Sequence, residues 1–213
     1  MDEFLRTGHA IVGTLVLVLG FLQIVLKKGG KYHRMMGVTY VLCMTVVISS
    51  GIVIGSVMIG FIGAFGYYFC LTGFLFAHGK SNLKTSVQKG VVIAGALLNL
   101  YMLYFAIETF MSGDINSGII FSVFTFIFFA TSIPDVMQYV LLRPVKKMYN
   151  HKMNWYFEHF KRMYISYIMA TTAFTVIQNI FPIAIMNWLV PTALGTIFIF
   201  ISVRQQKAKM KIV

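Results

Sequence analysis

Of 213 residues, 58% are hydrophobic and 11% charged, against roughly 25% charged in an ordinary soluble domain, so a water-soluble fold is excluded. The 18 basic residues outweigh the 6 acidic ones and give a net charge of +12. They lie in short segments between apolar runs, with no arginine-rich or aromatic-interleaved module beside them, which excludes nucleic acid as a partner and leaves the lipid bilayer.

The first apolar run, 11–26, follows Asp2 and Glu3 rather than basic residues. It therefore reads as a first span over 8–26 and not as a cleavable signal peptide. The cluster Lys27, Lys28, Gly29, Gly30, Lys31 ends it. No charged residue occurs over 35–77, about twice the 20 residues that one crossing needs, which predicts two helices there. Their reversal is expected near Gly55 and Gly60, because glycine tolerates turn geometry.

A fourth helix is predicted over 90–110 and a fifth over 118–142, separated by the polar turn Ser112, Gly113, Asp114, Ile115, Asn116. The uncharged stretch 163–203 again holds two spans. Pro182 and Pro191 mark the reversal or the start of the last helix, since proline is tolerated in a first helical turn and costly further in. The sum is an all-α, seven-helix transmembrane bundle forming one domain over 1–213.

Sorting the charges by loop fixes an orientation. The clusters around Lys28, Lys84, Lys147 with Lys161 and Arg162, and Lys207 all fall on one side, and Arg6 alone on the other. Positive charge in short loops stays cytoplasmic, so the C-terminus is inside and the N-terminus outside, as in a multi-pass protein of the cell membrane. Cys43 and Cys70 lie in apolar runs and read as packing residues. Small residues four apart, Gly51 with Gly55 and Gly60 with Ala64, let helices approach closely, either within the bundle or across a homodimer.

Ionisable groups at the edge of the hydrocarbon are costly and call for a functional reading. His33 opens the second helix, His78 closes the third, and His159 lies at the start of the sixth, all at the cytoplasmic end; His151 sits among lysines as a headgroup contact. Asp135 follows Pro134 inside the fifth helix and shares a face with Thr131 and Gln138. It either pairs with an arginine such as Arg143 or takes part in chemistry.

Three constructions use these groups. The leading one is a haem b or redox site with His33 and His159 as axial ligands and His78 as substitute. The second is a zinc-dependent membrane hydrolase acting on lipid, with His33, His78, His159 and Asp135 around the metal and Asp135 catalytic. The third is a small-solute or ion transporter, or a non-catalytic scaffold. Only His9 lies at the outer end, so at most one two-histidine haem fits, and 188–203 contains no lysine for a retinal Schiff base.

The step His33, Arg34, Met35, Met36, Gly37, preceded by His9, Gly13 and Lys28, Gly29, Gly30, Lys31, resembles an uncharacterised prokaryotic family of predicted membrane proteins. The segment with His159, Met163, Ser166, Tyr167, Ala170, Thr172, Ala173 and Phe174 is similar to that family's later helix. The resemblance spans most of the chain and implies a bacterial plasma-membrane protein, without a function.

Overall fold

The structure is a computed structural model that describes residues 2–77, 83–142 and 153–210. Among the described residues seven helices follow one another: α1 (Asp2–Val25), α2 (Lys31–Ile54), α3 (Val57–Ala77), α4 (Leu83–Met111), α5 (Ile115–Asp135), α6 (Asn154–Gln178) and α7 (Ala184–Lys209). A π-helical turn, Val136–Val140, extends α5. Six of them are long and apolar enough to cross a membrane, and the molecule is an all-α multi-pass bundle, as the apolar run lengths require.

Helix α6 is the exception to that apolar rule, and its place in the bundle explains why. It packs most extensively on α3, which is itself half buried along its apolar length. Arg162, Ser166 and Thr172 of α6 are all buried. A helix surrounded by other helices meets protein partners instead of lipid, so it can carry polar groups that a lipid-facing helix cannot.

Two apolar cores flank this pair. Phe65 and Phe69 of α3 meet Phe124 and Phe128 of α5, with the Phe65 and Phe128 rings stacked 4.7 Å apart. On the other side Val16, Tyr40, Met44 and Cys70 join α1, α2 and α3. The two cysteines are free thiols. Adjacent helices run antiparallel: His9 near the start of α1 bonds Ser50 late in α2, and Gln23 late in α1 bonds the His33 carbonyl early in α2.

The turns refine the sequence reading. The α2–α3 reversal uses only Gly55 and Ser56 between the two helices, and Gly60 lies inside α3. Gly55 is extended, at φ −89° and ψ 166°, so left-handed freedom plays no part in this turn. Gly51 faces inward, where an added Cβ would lie 3.4 Å from the His9 ring. Before α5, Asp114 caps the helix by accepting from the Ser117 amide at 3.1 Å. Those Ser117 contacts hold its carboxyl below the usual range.

Pro191 does not start α7; it sits two turns inside. Its missing N–H leaves the Asn187 carbonyl without the usual helical donor. The Thr175 hydroxyl of α6 donates to that carbonyl at 2.7 Å, so the neighbouring helix repairs the gap. The Asn187 side chain meanwhile closes the α6–α7 turn, accepting from the Phe181 amide and donating to the Phe181 carbonyl, each at 2.9 Å.

Candidate functional site

The basic end of the bundle holds a cavity of about 530 Å³ between α1, α2 and α6, with the end of α3 behind it. Its size falls within the roughly 300–1,000 Å³ usual for small-ligand sites. Gly20 gives it room: a Cβ there would stand 2.2 Å from the Tyr167 ring, so α1 reaches α6 only because the side chain is absent. The body of the cavity is apolar and aromatic, including Tyr40, Phe74, Trp155 and Phe160.

Its polar groups are cationic or neutral: Lys28, Arg34, His33, His159 and Gln23 line it, and among the described residues no carboxylate does. Lys28 also donates to the exposed carbonyls of Gln23 and Ile24 at the end of α1, a cation placed where the helix dipole is negative. Burial lowers its pKa from the ordinary lysine value. The cavity is therefore suited to an apolar body that carries negative charge at one edge.

His33 and His159, the two residues that sequence reasoning offered as cofactor ligands, line this one cavity from separate helices. Their rings are held differently. His159 Nδ1 lies 2.8 Å from the Gly73 carbonyl. A carbonyl only accepts, so His159 donates from Nδ1. Metal-ligating histidines are oriented in the same way, by donating one ring N–H to a carbonyl. His33 Nδ1 is buried without a hydrogen-bond partner. Such an atom has lost water and gained nothing in return.

Asp135 belongs elsewhere. Its Oδ1 accepts from Arg162 Nη2 and its Oδ2 from Arg162 Nη1, both at 2.7 Å, and Oδ2 also accepts from the Tyr68 hydroxyl at 2.6 Å. Arg162 Nη1 donates in addition to Thr72 at 2.9 Å. The guanidinium lies 4.7 Å from the Phe76 ring centroid. Glu158 stands 3.4 Å from Arg162 and bonds Lys161 at 2.6 Å. Asp135 and Arg162 are 3% and 4% exposed, so the network joins α3, α5 and α6 away from water.

Asp135 therefore stands apart from His33 and His159 of the expected zinc set. Asp135 is not a lining residue of the cavity, because both of its oxygens are drawn to Arg162. Among the described residues no three His, Cys, Asp or Glu side chains come together as a metal ion requires. His78, His151 and Arg143 lie outside the described residues. Arg162, sorted in the sequence with the cytoplasmic loop charges, is instead the buried partner of Asp135. A signal for it was present: Glu158, Arg162 and Ser166 recur at four-residue spacing, which puts them on one helical face.

His9, at the far end of the bundle, forms its own contact. Its Nδ1 lies 2.8 Å from the Ser50 hydroxyl oxygen. That hydroxyl already donates to the Val46 carbonyl at 2.7 Å, so His9 also donates from Nδ1. The chain matches no protein-family model, no curated protein and no solved structure, and the reading of the site rests on its geometry.

Proposed function

We propose that this chain is a membrane protein with its N-terminus outside and its basic end cytoplasmic, which binds haem b in the cavity between α1, α2 and α6 and serves redox chemistry. The observation that carries the reading is that His33 and His159 line one cavity from separate helices, with the His159 ring oriented by the Gly73 carbonyl. In this reading the two imidazoles hold the iron. The aromatic walls take the macrocycle, and Lys28 and Arg34 balance the carboxylates at its edge.

Haem contributes one-electron chemistry there. The chain contributes ligand orientation, a low-dielectric surrounding and positive charge at the cytoplasmic rim, which are the levers by which a protein tunes such a group.

Titrating the purified protein with haem tests this. Saturable binding with the spectrum of two-histidine low-spin iron is expected, lost in His33→Ala and in His159→Ala. A wild type that takes up no haem, or variants that keep the same spectrum, would reject the reading.

A further inference from the structure

The Asp135–Arg162 pair lies outside the cavity, yet Arg162 is three positions after His159 on α6. That spacing amounts to about 4.5 Å along the axis, on neighbouring positions of one helical face. Their partners on α3 are adjacent in sequence as well: Arg162 donates to Thr72 at 2.9 Å and His159 to Gly73 at 2.8 Å. The helices touch closely at this point, since a Cβ on Gly73 would stand 3.0 Å from Arg162 Cβ.

The guanidinium fork on Asp135, two parallel bonds of 2.7 Å, is directional and tolerates little rotation. Neither partner is open to water, so a sliding or turning of α6 would strand a charge. The same movement would take the His159 ring off its carbonyl. Buried pairs of this kind are often replaceable by apolar residues without loss of stability, and in some systems what they contribute is the choice of one arrangement.

We propose that the Asp135–Arg162 pair is a positioning device for His159, locking α6 on α3 and α5 so that the imidazole is held against the Gly73 carbonyl as the Nδ1–H tautomer. The use of that imidazole as an iron ligand rests on the haem reading; the positioning does not.

The test is NMR of the full chain in detergent micelles, with isotope-labelled histidine nitrogens, in wild type, Asp135→Asn and Arg162→Lys. In wild type, His159 shows the Nδ1–H pattern; in both variants its two nitrogens shift to the averaged positions of exchanging tautomers. His9 is the internal control and keeps its Nδ1–H pattern throughout. A His159 pattern unchanged in the variants overturns the proposal. Loss of the His9 pattern together with that of His159 also overturns it, because the pair would then hold the whole bundle rather than this ring.

Haem titration of the same samples separates the two ideas, with affinity expected to weaken about 10–100-fold in the variants, as for other residues that orient a ligand. No haem uptake by wild type, alongside a tautomer change in the variants, defeats the haem reading and leaves the positioning standing. Haem binding with tautomer and affinity both unchanged in the variants defeats the positioning alone.

Discussion

Along one helix, α6, Arg162 and His159 look into contrasting surroundings. Towards α3 and α5, both oxygens of Asp135 receive donors, Tyr68 and Thr72 complete the shell, and aromatic rings exclude water. Towards α1 and α2, about 530 Å³ is left open and a buried nitrogen of His33 has no partner. A bundle shaped for stability alone would fill the second region as fully as the first. The difference separates a part of the protein that selects one arrangement of helices from a part that keeps bonding capacity for something else.

The contrast is broken most directly at Asp135. Asp135→Ala leaves Arg162 buried and unpaired and is expected to lower stability by about 3–5 kcal/mol in detergent unfolding, whereas Asp135→Leu with Arg162→Met should return most of it. A loss below about 1 kcal/mol from the single change would mean that water reaches the guanidinium after all. Gly73→Ala comes next. Its methyl group would lie 3.0 Å from Arg162 Cβ and 3.1 Å from Met163 Sδ, and prying α3 from α6 is expected to cost about 1–3 kcal/mol. An unchanged unfolding midpoint would show that the two helices have slack, and would weaken the link between the ion pair and His159.

Much of the fold was legible because membrane insertion leaves a plain record in the sequence. Uncharged runs of one or two crossing lengths pointed to seven helices, of which six are apolar enough to cross a membrane among the described residues, and the polar turn at Asp114 appears where expected. Legibility failed where one helix compensates for another. Pro191 inside α7 is tolerated because Thr175 of α6 satisfies the Asn187 carbonyl, a remedy that no local pattern announces. The pairing of Asp135 was misdirected for a similar reason. Arg143 is near in sequence, but Arg162 is brought near by the packing of α6. Of the site, the placing of His33 and His159 at the same end of the bundle followed from topology, and both line one cavity. The cavity between them depends on the close approach of Gly20 to Tyr167, which only the packed helices reveal.

The smallest effect is the sharpest test of what the open region is for. In ligand-free protein His33→Leu removes a buried nitrogen that bonds nothing, so stability should stay level or rise by up to about 1 kcal/mol, since an unsatisfied buried polar group costs about 1–3 kcal/mol. His159→Leu removes the donor to the Gly73 carbonyl and should lose about 1 kcal/mol. The two substitutions are alike in chemistry and both fall on the cavity wall. Opposite signs in paired unfolding measurements would show that one ring serves the fold while the other is kept at a cost to it. Equal losses would mean that His33 has a structural partner, and its nitrogen would no longer argue for a ligand.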